Sequence, residues 1–119
     1  MKKILLVEDS GTNRKLYGQL LTSLGYFPIL AGNGLRGLNT YEDNPDIACI
    51  ITDCQMPEMD GPTMVNTLRT NHGKDVPVLV YSSFQSVKDV GELLDRGATA
   101  FLPYPLTREI LKEYLERYL

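Results

Sequence analysis

An α/β fold, a parallel sheet with helices packed on both faces, is what the sequence predicts, and three observations lead there. The chain has 119 residues, enough for one domain with its own core and too few for two. Apolar runs alternate with helix-periodic segments along the whole length, in five rounds. The runs ILLV at 4–7 and IACIIT at 47–52 are apolar without period-two alternation, as strands buried on both faces are. Hydrophobic residues make up 43% and charged residues 23%, a composition that supports a packed core and excludes a disordered tail or a fibrous repeat.

Strand one is predicted at 4–7, ending at Glu8. Helix one follows over 12–24, with Leu16, Leu20, Leu21 and Leu24 at three- and four-residue spacing and Gly25 placed for a left-handed cap. Residues 26–31 form a strand that carries Pro28, which cannot donate to a ladder, so this strand belongs at an edge. Helix two, at 35–42, is expected to be short or mobile, because Gly34 and Gly37 each cost about 1 kcal/mol relative to alanine in a helix interior. Strand three, at 47–52, is central and leads directly to Asp53 and a long loop over 54–61. Pro62 suits the first turn of helix three, which runs to 71 with Gly73 just beyond. Strand four covers 76–81. Ser86 is a plausible cap for helix four, whose Val87, Val90, Leu93 and Leu94 share a face and which Gly97 closes. A short strand five at 100–102 precedes a last helix, capped by Thr107, with Ile110, Leu111, Tyr114, Leu115, Tyr118 and Leu119 as its apolar stripe.

Twelve basic and fifteen acidic residues give a net charge of -3, and no basic run is long enough to neutralise several phosphates, so direct nucleic-acid binding is not expected. The N-terminal apolar run is far shorter than a signal peptide or a membrane span, which predicts a soluble, untargeted protein. Cys49 and Cys54 form no CxxC pair and read as reduced thiols of a cytoplasmic protein. His72, the only histidine, can build neither a histidine metal site nor a triad. With no linker or repeat, 1–119 is expected to be a single domain without a separate effector.

In an open parallel sheet the functional crevice lies beyond the carboxyl ends of the strands. Strand one delivers Glu8 and Asp9 there, and strand three delivers Asp53. Singly, Glu8 or Asp9 could simply complement a helix N-terminus. Three converging carboxylates make sense only if a hard cation binds or some protons are retained, and magnesium, which takes oxygen ligands and keeps several waters, is the natural occupant. A carboxylate that binds the metal and faces solvent can attack a phosphoryl group, and Asp53 is the best candidate. Ser82 and Ser83 end strand four with hydroxyls that can donate to an anionic oxygen.

The motifs LLVED at 5–9, ITDCQMPEMDG at 51–61, PVLVYSS at 77–83 and GATAFLPYP at 97–105 give the whole chain a strong resemblance to response-regulator receiver domains of two-component signalling. The resemblance implies a flavodoxin-like doubly wound sheet of five parallel strands in the order 2-1-3-4-5. It implies a phosphoryl group passed from a sensor histidine kinase or histidine phosphotransfer protein to Asp53, with catalysis limited to self-phosphorylation and self-dephosphorylation. It further implies Asp9, Asp53 and the backbone carbonyl of Gln55 as magnesium ligands, Glu8 acting mainly through water, Ser82 as hydroxyl donor to the phosphoryl group, and Phe101 as the aromatic residue that turns inward with Ser82. Phe101 would equally suit a core position. Helix four, strand five and helix five would meet an output partner, with Tyr104 and Tyr118 adding contact area. The sequence departs from the family at one point: Tyr104 stands where the lysine precedes the last motif proline, Pro105, whose peptide bond is cis in the family. A tyrosine offers a neutral donor and no charge. That departure supports the alternative of a pseudo-receiver, a phosphorylation-independent interaction module. A flavodoxin-type cofactor protein is a third class, and two carboxylates at the mouth of the loop after strand one oppose it by repelling a flavin phosphate.

Overall fold

The computed structural model describes residues 1–54, 59, 61–71, 75–82 and 87–119, with only the backbone described at 87–90. Among them strands and helices alternate as β1 (Lys3–Val7), α1 (Gly11–Ser23), β2 (Phe27–Ala31), α2 (Gly34–Asp43), β3 (Cys49–Asp53), α3 (Gly61–Asn71), β4 (Val78–Tyr81), α4 (Val87–Asp95), β5 (Ala100–Phe101) and α5 (Arg108–Tyr118). The strands pair in parallel in the order β2-β1-β3-β4-β5, as expected. Alternation divides the core between the two faces of the sheet. Leu5, Val7, Ile50, Val78 and Val80 meet Leu38 and Tyr41 of α2, Met64, Val65 and Leu68 of α3, and Leu93 of α4. Ile4, Leu6, Cys49, Ile51, Leu79 and Tyr81 meet Tyr17 and Leu21 of α1 with Leu111 and Leu115 of α5.

Several local expectations hold for the reasons given. Pro28 lies on an edge strand; Phe27 N–H donates to Lys2 O at 2.9 Å, so the nitrogen of Pro28 points away from β1. Gly25 and Gly97 take positive φ of 90° and 113°. Both helix ends are closed by paired bonds, Gly25 N–H to Thr22 O with Tyr26 N–H to Leu21 O, and Gly97 N–H to Leu94 O with Ala98 N–H to Leu93 O. Thr107 caps α5, its Oγ accepting from Ile110 N–H at 3.1 Å, and the Tyr104-Pro105 bond is cis. Gly73, His72 and the Ser86 cap lie outside the described residues.

Others are corrected. Helix α2 is a full ten residues, Gly34–Asp43, and its glycines are required by close approach. A Cβ on Gly37 would lie 2.9 Å from Val7 Cγ2, and one on Gly34 would collide with the backbone oxygen of Met59, which accepts the Gly34 N–H. Leu16 is 48% exposed, and α1 buries Tyr17 and Gly18 along with the expected Leu21. Leu94 is 44% exposed while its neighbour Leu93 is buried. Ile47 is buried without being in a strand, because its N–H turns back to Asn44 O; β3 starts at Cys49 and includes Asp53 as its last residue.

Candidate metal and phosphoryl site

Register brings the acidic residues together. Val7 pairs with Thr52 and Asp53 with Tyr81, so Glu8, Asp53 and Tyr81 follow one another across β1, β3 and β4 on the face covered by α1 and α5. Ligand oxygens of Glu8, Asp9 and Asp53 lie within 4.8 Å of one another, with Glu8 buried, Asp53 half-buried and Asp9 exposed. The donor set is all carboxylate oxygen, open on the Asp9 side, which fits a hard divalent cation that keeps part of its water shell. Gln55 lies outside the described residues.

Glu8 is 2% exposed and is engaged at both oxygens. Ser10 N–H donates to Oε2 at 2.7 Å, and the Tyr81 hydroxyl donates to Oε1 at 2.8 Å. Ser10 is itself fixed as the cap of α1 by Asn13 N–H on its Oγ. Burial pushes the Glu8 carboxyl above its usual range, the two donors pull it back, and Asp9 and Asp53 push it up again. Arg14 sends Nη1 to the carbonyl oxygens of Glu8 and Asp9, at 2.8 and 3.1 Å, and so places a cation behind the acidic loop.

Ser82 is buried directly after β4, and its neighbour Ser83 lies outside the described residues. Phe101 is half-buried against the cluster under α2, α3 and α4. Tyr104 is 45% exposed, and its ring stacks on Tyr81 with centroids 6.4 Å apart and planes at 14°. Tyr17 meets the Tyr81 ring edge-on at 5.8 Å. Tyr81 is therefore a member of the site that sequence reasoning treated only as the end of a strand. Its signal was a tyrosine closing an otherwise aliphatic run just before Ser82, but only the register shows that it faces Glu8. Burial, then the Glu8 carboxylate, push the Tyr81 hydroxyl far up, so it stays a donor.

A five-stranded sheet of this order with acidic residues gathered at its carboxyl edge defines a receiver-type signalling domain. The family model for the response regulator receiver domain matches residues 4–116, and the chain belongs to that family, which serves two-component signalling. Over 116 residues it is 34% identical to the chemotaxis protein CheY1 of Helicobacter pylori strain J99, covering 96% of this chain and 94% of that one. The crystallized chemotaxis protein CheY4 of Vibrio cholerae is similar at a TM-score of 0.94 and 31% identity, over 100% of this chain and 99% of that one. The receiver domain of the sensor histidine kinase PA1611 from Pseudomonas aeruginosa PAO1, solved with magnesium coordinated in its active site cleft, is similar at a TM-score of 0.89 and 29% identity, over 98% and 96% of the two chains.

Proposed function

We propose that the domain spanning 1–119 accepts a phosphoryl group on Asp53 from the phosphohistidine of a sensor kinase or phosphotransfer protein and so switches a partner-binding surface. The observation that carries this reading is the convergence of Glu8, Asp9 and Asp53 within 4.8 Å at the carboxyl edge of the sheet. An Asp53 carboxylate oxygen attacks phosphorus, the bond from phosphorus to the imidazole nitrogen breaks, and the imidazole keeps the electron pair. Hydrolysis of the acyl phosphate returns Asp53 and inorganic phosphate, so no other substrate is turned over. Asp9, Asp53 and the Gln55 carbonyl hold magnesium, with Glu8 acting through water. Bound magnesium supplies neutralisation of the charge that otherwise keeps a phosphoryl group away from three carboxylates. Ser82 donates its hydroxyl to the phosphoryl oxygen, Phe101 turns inward with it, and α4, β5 and α5 form the surface that the output partner reads. A cytoplasmic location suits two cysteines that form no disulfide, and no helix among the described residues is long and apolar enough to cross a membrane.

Tyr104 at the lysine position favours a second reading, a pseudo-receiver whose surface binds a partner without phosphorylation. Incubation with acetyl phosphate and magnesium, followed by intact mass measurement, separates the two. An adduct of one phosphoryl group on the unmodified chain and none on Asp53→Asn is expected; no adduct on either selects the pseudo-receiver.

A further inference from the structure

We propose that Tyr81 is a positioning residue that clamps Glu8 and makes the acidic site selective for magnesium over calcium, with Tyr104 acting on the site through the Tyr81 ring. This rests on the reading of Glu8, Asp9 and Asp53 as a divalent-cation site.

The clamp holds Glu8 from two sides. One Glu8 oxygen is held by a backbone N–H at the fixed start of α1, the other by the hydroxyl of a tyrosine that is 1% exposed. That tyrosine cannot yield sideways, because Tyr17 abuts its ring edge-on and Tyr104 covers one face. Its own strand is tied in place as well, since Cys54 N–H donates to Tyr81 O at 2.9 Å. A carboxylate restrained at both oxygens cannot swing to chelate.

This restraint falls unequally on the two cations. Calcium takes 6–8 oxygens at about 2.3–2.6 Å and relies on carboxylates that rotate to bind through both oxygens, whereas magnesium needs fewer protein ligands at about 2.0–2.1 Å and keeps its waters. A Glu8 held at both oxygens offers the ion no bidentate grip, which suits the second and handicaps the first. Position 104 then matters in this chain through a different route from the family's lysine. Tyr104 brings no charge to the acidic group; by covering Tyr81 it keeps the hydroxyl seated on Oε1.

Titration calorimetry of the full chain with magnesium chloride and, separately, calcium chloride tests the clamp. In Tyr81→Phe the ratio of the calcium to the magnesium Kd falls at least about tenfold, the low end of what one hydrogen bond to a charged group is worth. In Tyr104→Ala, a change at an exposed side chain that folding tolerates, it falls about twofold, and adding this change to Tyr81→Phe lowers the ratio no further. An unchanged ratio in either variant, or a lower melting temperature in EDTA with the ratio intact, overturns the clamp and leaves the metal reading standing. If Tyr81→Phe does not fold, Tyr104→Ala alone decides. Absence of binding heat with both ions in the unmodified chain overturns the metal reading and the clamp together.

Discussion

Replacing Asp53 with asparagine should make the metal-free domain more stable and the magnesium-loaded domain comparatively less so. The oxygens of Glu8 and Asp53 lie within 4.8 Å, a separation at which two unit charges repel by ~0.9 kcal/mol in bulk water and ~3.5 kcal/mol at an effective dielectric of 20. Glu8 is buried and Asp53 half-buried, so solvent screens part of this, and about 1–2 kcal/mol of relief is expected. For a domain of this size that corresponds to a rise in Tm of about 4–8 °C in EDTA. Magnesium at a hundredfold excess over its Kd stabilises the unmodified chain by ~2.7 kcal/mol, and the variant, lacking an anionic ligand, by clearly less. The order of the two melting temperatures should therefore invert between EDTA and magnesium. The chain has no tryptophan, so far-ultraviolet circular dichroism is the suitable probe. An Asp53→Asn melting temperature at or below that of the unmodified chain in EDTA would refute the repulsion argument, and an equal magnesium gain in both would remove Asp53 from the ligand set.

Three further outcomes are expected. Glu8 titrates above its ordinary 4.5 in the folded state, so the native chain holds this proton more tightly than the unfolded one; its contribution is fully present below about pH 4.5 and is lost as pH rises through the folded value. Urea melts in EDTA should show this loss as pH is raised above 4.5 in the unmodified chain and not in Glu8→Gln. Tyr104→Lys exchanges a ring stack worth about 0.5–1.5 kcal/mol for a charge-assisted bond in the phosphorylated state worth ~1.5–3 kcal/mol, so it should enlarge the phosphorylation-dependent amide shifts at Ser82 and Phe101; equal shifts in both chains would count against it. Gly34→Ala should destabilise despite the ~1 kcal/mol gain in helix propensity, because its Cβ meets the Met59 backbone, whereas Gly91→Ala, with no described residue within 4 Å of its Cβ, should stabilise by about 0.5–1 kcal/mol; chemical melts that rank them the other way would contradict the packing.

The sheet was legible because buried strands must be apolar on both faces, and the carboxylates were legible because the crevice of such a sheet lies past its strand ends. Boundaries were less so. Ile47 is as buried as a strand residue, and only the hydrogen bond to Asn44 shows that it precedes the strand. Of the stripe read for α1, Leu21 is buried and Leu20 and Leu24 pack against the core, while Leu16 is exposed and Tyr17, which fits the helical period as well, is buried in its place. The weakness expected of α2 came from counting its glycines as propensity losses, when Val7 and Met59 occupy the space that side chains would need. Tyr81 was hidden for a related reason. A tyrosine at the end of an apolar run looks like strand, and its bond to Glu8 joins residues 73 positions apart.

The direction in which Pro28 points has a consequence for how copies of this domain behave at high concentration. Odd positions of β2 face β1, so an incoming strand would have to pair with the outward groups of Pro28 and Leu30. Proline has no N–H, and the preceding outward donor, Tyr26, is already committed to Leu21 O at 3.1 Å. Leu30 alone is left within β2 as an outward N–H donor, and the opposite rim is only two residues long, Ala100–Phe101. Phe27 and Leu30 are nevertheless half exposed on the β2 rim, an apolar lure without a full set of donors. Replacing Pro28 with valine would complete the ladder and turn a safe margin of the sheet into a template for polymerisation.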